Sequence, residues 1–143
     1  MTSQAAQYKE LLRALFKGHT DQARELADQM GDGPFTGTGP LLMAVFGLAV
    51  DRRFKNDQSH AAVMTFVQEV SDAFSAAQAP FNPLHAELLV RSALGEDELF
   101  QQVPGDQASA LMAPLADKII GDLHMSDEEI DAFLNEAESL LTL

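Results

Sequence analysis

The chain has no cysteine, no tryptophan, a single tyrosine, and only nine lysines and arginines against 22 acidic residues. Without cysteine there can be no disulfide, no thiolate zinc ribbon and no thiol nucleophile. Long hydrophobic runs are also missing. The longest, Leu41 to Val50, is ten residues, against the roughly 20 that a membrane-spanning helix needs. The first 15 residues interleave Gln4, Gln7, Lys9, Glu10 and Arg13 with apolar positions, unlike the apolar core of a signal peptide. We therefore expect a cytoplasmic protein that does not enter a membrane.

The shortage of bases is uneven. Residues 96–143 hold twelve of the acids and one base, Lys118, for a formal charge of −11. Residues 1–95 hold ten acids and eight bases, for −2. Such a balance repels nucleic acid and anionic membranes and favours a basic partner. A salt-adapted protein would spread its acids over the whole surface; here they gather in the last third.

What remains is ordinary globular material. With 143 residues, 46 % apolar and 22 % charged, the chain suits one domain with its own core, spanning 1–143. Helical spacing runs along its length. Tyr8, Leu11, Leu12, Leu15 and Phe16 form one face, stopped by Gly18. Ala23, Leu26, Ala27 and Met30 form the next, with Thr20 or Asp21 as its cap. Residues 1–31 thus read as a helical hairpin. Its Gly18-to-Ala23 spacing resembles the turn of a tetratricopeptide hairpin, but nothing similar returns about 34 residues later.

Glycines and prolines mark a loop over 32–39, and Pro40 suits the first turn of a helix over about 40–54. That helix is apolar on every side, as befits the centre of a bundle. Asp57 or Ser59 starts a fourth helix with Val63, Phe66, Val67, Val70, Ala73, Phe74 and Ala77, the expected longest element. Pro83 opens a fifth that carries Leu84, Leu88, Leu89, Val90 and Leu94 and closes at Gly95, completing the central helices of 40–95.

The acidic helices of 96–143 begin with a short piece before Pro104-Gly105. A stripe from Ala108 to Leu123 follows, in which Pro114 predicts a solvent-side kink. Ser126 and Glu129 then spell a capping box. Ile130, Phe133, Leu134, Ala137, Leu140 and Leu141 make the last seam. No segment alternates with a period of two. The reading is all-α, six to eight helices around the buried apolar helix.

Catalytic signals are sparse. His19, His60, His85 and His124 never pair at i+3 or i+4, and neither HExxH nor Glu-x-x-His repeats occur. Asp28, Asp32 and Gly33 lack the spacing and the closing glutamate of a calcium loop. The glycines at 31, 33, 37 and 39 lack the lysine and preceding strand of a phosphate loop. Asp57, Ser59 and His60, adjacent in sequence, do not by that adjacency make a triad. We expect no metal, no cofactor and no catalytic residue.

Arg52, Arg53 and Lys55 form the only basic cluster. At a helix C-terminus they complement the dipole; alternatively Arg52 or Arg53 grips a carboxylate, even one in the acidic third. On the last helix, Glu128, Asp131, Glu136 and Glu138 line the side opposite the seam, either as a solvated face or as a recognition surface. The expected function is a non-catalytic, regulatory or adaptor protein-interaction module using this acidic surface, with Arg52 and Arg53 as further candidates. The expected partner is a protein, of basic character; a homodimer through the terminal seam is the other possibility. Three alternatives stand beside it. One is a small-molecule-binding domain or enzyme with a pocket near Phe46, Phe66, Phe74 and His85. The others are an acidic mimic of nucleic acid and an accessory subunit with an apolar interface.

Overall fold

In the computed structural model, which describes residues 4–30 and 38–140, the apolar stripes become seven α-helices and one 3-10 helix; no strand occurs among the described residues. The helices are α1 (Gln4–Phe16), α2 (Thr20–Met30), α3 (Thr38–Arg53), α4 (His60–Ala76), α5 (Pro83–Ala93), α6 (Gly105–Asp122) and α7 (Asp127–Ser139), with the 3-10 helix at Asp97–Gln102. The chain is all-α. Most of the expected Gly/Pro loop, 32–37 of 32–39, lies outside the described residues, as does Leu141. Thr38 and Gly39 belong to α3 instead, which starts two residues before Pro40.

Three helix starts are fixed by side-chain caps. Ser59 Oγ accepts the Ala62 N–H (3.2 Å), and Asn82 Oδ1 accepts the His85 N–H (3.1 Å). At α7 the capping box is complete: Ser126 Oγ accepts the Glu129 N–H while Glu129 Oε1 accepts the Ser126 N–H. Each satisfies amide donors that the helix itself leaves without partners.

Four helix ends share one solution. At Gly18, Gln78, Gly95 and His124 the residue after the cap turns left-handed, with φ of 81°, 57°, 124° and 52°. At each, two backbone bonds close over the last turn, as in Gln78 N–H to Ser75 C=O and Ala79 N–H to Phe74 C=O. These are Schellman motifs. Glycine enters this conformation freely, whereas a side chain there costs roughly 1–2 kcal/mol. We therefore expect Gln78→Gly and His124→Gly each to stabilise the protein by about 0.5–1 kcal/mol in urea melts, the glycine's extra chain entropy offsetting part of the gain.

Backbone contacts divide the chain into two compact units: residues 1–45 with 120–143, and residues 46–119. In the first, α1 packs on both α2 and α7. Leu12, Ala14 and Phe16 of α1 are buried, as are Ile130, Phe133, Leu134 and Ala137 of α7. The terminal seam is thus occupied within the chain up to Ala137, and Leu140 is left exposed.

In the second unit α5 packs on α4 and on the 3-10 helix. Phe54 and Phe66, both fully buried, meet edge to face with centroids 5.6 Å apart. α4 buries Val63, Phe66, Val67 and Val70, but Ala73 and Ala77 at its end are exposed and Phe74 is half-buried. Leu84, in the first turn of α5, also lies outside the packed span.

Two expectations about helices change in detail. α3 buries Leu41, Leu42, Val45, Phe46, Ala49 and Val50 along one arc. The opposite arc carries Met43, Ala44, Gly47, Leu48 and Asp51, and Met43 is 51 % exposed. The longest element is α6, 18 residues against the 17 of α4. It runs through Pro114 because the buried stripe of Leu111, Met112, Leu115, Ala116, Ile119 and Ile120 holds both halves in one register.

Candidate functional site

The acidic residues of α7 do not all face water unopposed. Lys9 and Arg13 of α1 and Lys17, one residue past its end, follow one another at four-residue steps, and the Lys17 N–H bond to the Arg13 carbonyl continues the helical row. Opposite them α7 presents Asp131, Asn135 and Glu138. Lys9 Nζ donates to Asn135 Oδ1 (2.7 Å) and Glu138 Oε1 (3.1 Å). Arg13 Nε donates to Asp131 Oδ1 (2.8 Å), and Lys17 Nζ lies 3.0 Å from the same oxygen. Arg13 also pairs with Glu10 along its own helix.

The lysine side chains are only 13 % and 14 % exposed. Their stems pack against the helices while their ammonium groups need carboxylates to offset lost hydration. Lys17, and after it Arg13, hold the Asp131 carboxyl below its usual pKa, and Glu10 and Asp131 raise that of Arg13. Of the four acids singled out on α7, Asp131 and Glu138 therefore dock the helix on α1. Glu128 and Glu136 are exposed.

Arg52 and Arg53 end α3, where the sequence placed them. The Arg53 guanidinium lies over the rings of Phe54 (5.3 Å) and Phe66 (5.7 Å), a cation–π contact at the edge of the second unit's core. Phe66 also receives the Lys118 ammonium at 6.0 Å, and Lys118 reaches Glu69 at 3.6 Å.

A polar cluster joins α4, α5 and the start of the 3-10 segment. Arg91 grips Glu96 with two bonds of 2.8 Å and reaches Glu87 at 3.5 Å, while His60 Nδ1 stands 3.7 Å from Glu87. The bidentate grip lowers the pKa of Glu96 and raises that of Arg91. Gln58, His60, Arg91 and Glu96 line a small polar hollow of about 170 Å³ there. A second hollow of about 210 Å³ lies over Arg13, Lys17, His19 and Gln22, but Glu10 also lines it and Asp131 already engages both cations.

The largest of these depressions is a different kind of surface. Phe74 at the end of α4 and Phe81 in the connection to α5 stand with centroids 4.9 Å apart, tilted by 32°. With Pro80, Ala110 and Leu111 they form an apolar cleft of about 360 Å³, edged by the amides of Asn82 and Gln107. Among the described residues no charged side chain lines it. Of the aromatic set expected around a pocket, Phe74 reaches this cleft, whereas Phe46 and Phe66 are core. His85 is half-buried, its Nδ1 enclosed without a hydrogen-bond partner.

Among the described residues no three of His, Asp and Glu converge in a way that could hold a metal ion. One group escaped the sequence reading: burial raises the pKa of Asp117, on α6. Its only signal was its place beside the apolar stripe, between Ala116 and Lys118. Among the described residues no helix is long and apolar enough to cross a membrane.

No family model, curated protein or solved structure compared with the chain matches it.

Proposed function

We propose that this protein acts by binding a basic protein partner, in a regulatory or adaptor role, and not by catalysing a reaction. One observation carries this reading. Among the described residues, Lys9, Arg13, Lys17, Arg91 and Lys118 are engaged by the chain's own carboxylates, at least five of its nine lysines and arginines. Their positive charge is balanced within the chain, and the excess of −13 is carried by acids such as Asp97, Glu98, Asp106, Asp127 and Glu128, all exposed. A surface of that sign accelerates encounter with basic segments and rejects acidic ones.

Two synthetic amphipathic helical peptides test it, one of lysine and leucine, the other with every lysine replaced by glutamate. At about 50 mM salt, where screening is weak, the lysine peptide is expected to bind at least about tenfold more tightly, because like charges across an interface oppose docking. Equal affinities would remove the charge-based reading.

A further inference from the structure

The apolar cleft lies on a unit that has an acid excess of its own. Phe74 and Phe81 are both half-buried, so part of each ring remains accessible. Ala110, on the facing side, is exposed. A cavity of about 360 Å³ lies at the low end of ligand sites, which run from roughly 300 to 1,000 Å³. That is room for an anchoring side chain rather than for a large cofactor. The Asn82 carbonyl is occupied by the His85 N–H. Its amide group, like that of Gln107, keeps donors for the backbone of an incoming segment.

The electrostatic setting narrows the occupant. Residues 56–90 and 92–117 contain no lysine or arginine. The helices that form the cleft carry Glu69 and Asp72 on α4 and Asp106 in the first turn of α6. The only base on these helices, Lys118, lies eleven residues beyond Gln107 and engages Glu69. At 1.5 Å per residue that is roughly 16 Å along the helix. The unit as a whole, residues 46–119, has ten acids and five bases. A second copy of the chain would bring the same sign of charge to this surface, which opposes self-association. A neutral floor inside an acidic field fits an apolar residue flanked by bases.

We propose that this cleft receives a leucine or aromatic side chain projected from a basic amphipathic segment of a partner protein, the helix-in-groove mode of recognition. The proposal rests on the basic-partner reading and adds the place where such a segment anchors. Buried anchors of this kind carry most of an interface's energy, with the surrounding charges setting approach and orientation.

The test uses the full chain, the lysine–leucine peptide labelled for fluorescence anisotropy, and two variants. Ala110→Trp fills the cleft from an exposed position that the core does not need. Ala132→Trp, on an exposed site of α7, is its control. Circular dichroism first establishes that both variants are folded. We expect Ala110→Trp to weaken the peptide about tenfold or more, since it denies the anchor its pocket, and Ala132→Trp to leave affinity unchanged. In the wild type, amide shifts on binding should centre on Phe74, Phe81, Gln107 and Leu111.

Salt-sensitive, lysine-selective binding that ignores Ala110→Trp, with shifts elsewhere, would overturn the cleft while sparing the basic-partner reading. Absence of lysine-peptide binding, or equal binding of the glutamate peptide, would overturn both. Self-association of the wild type that Ala110→Trp abolishes would assign the cleft to a second copy and overturn the proposal.

Discussion

Replacing Phe66 by alanine is expected to remove about 3–5 kcal/mol of stability, read as a lower urea midpoint with little change in slope. The ring is fully buried and meets Phe54 edge to face, with centroids 5.6 Å apart and an angle of 87°. Its faces also receive the Arg53 and Lys118 cations. Alanine would leave a cavity that the neighbouring helices close only in part, and would remove the contacts of Arg53 and Lys118 with this ring, although Arg53 keeps that with Phe54. Against a whole-domain stability of roughly 5–15 kcal/mol, that loss is severe. A double-mutant cycle with Phe54→Leu and Phe66→Leu should return a coupling of about 0.5–1.5 kcal/mol. Strict additivity would mean that the two rings merely share a core.

The second large effect lies at the α1–α7 contact. Asp131→Lys would place a third cation between Arg13 and Lys17, whose side chains are 25 % and 14 % exposed. Repulsion there should loosen α7 from α1 and speed hydrogen exchange across Asp127–Ser139 by about tenfold or more, as local opening becomes easier. Asp131→Asn should act in the same direction more weakly.

The effect has a defined pH dependence. Asp131 titrates below its ordinary value of 3.8 in the folded protein. Its contribution is therefore complete at pH values above the unfolded carboxyl's pKa and fades as pH falls through the depressed folded value. The wild type and Asp131→Asn should differ steadily near neutrality and converge in acid. A gap between them that widens on acidification would contradict the pairing.

Much of this arrangement was legible in the sequence, for reasons that differ by element. The capping box at Ser126 and Glu129 is a local signal and formed as written. Gly18 and Gly95 marked helix ends because glycine alone enters the left-handed region freely. Gln78 and His124 occupy the same conformation, and nothing in their side chains announces it. Lys9, Arg13 and Lys17 stand four residues apart, a spacing the sequence reading passed over, and their partners lie more than 110 residues away. Pairing at that separation is a property of the fold, so Asp131 and Glu138 read as surface acids. Arg53 similarly looked like a dipole complement, since its contact with Phe66 depends on where α4 packs. The apolar cleft was hidden because Phe74 and Leu111 belong to ordinary core stripes. Only the end of α4 and the position of Phe81 leave Phe74 half-exposed beside the buried Leu111.

The most direct measurement is the association rate of the 143-residue chain with the lysine–leucine peptide, followed by stopped-flow fluorescence from about 20 mM to about 500 mM salt, a range over which the screening length contracts severalfold. An outward excess of carboxylates predicts a rate that falls steeply, by about tenfold or more, with dissociation changing little. A rate that stays flat across that range would contradict it.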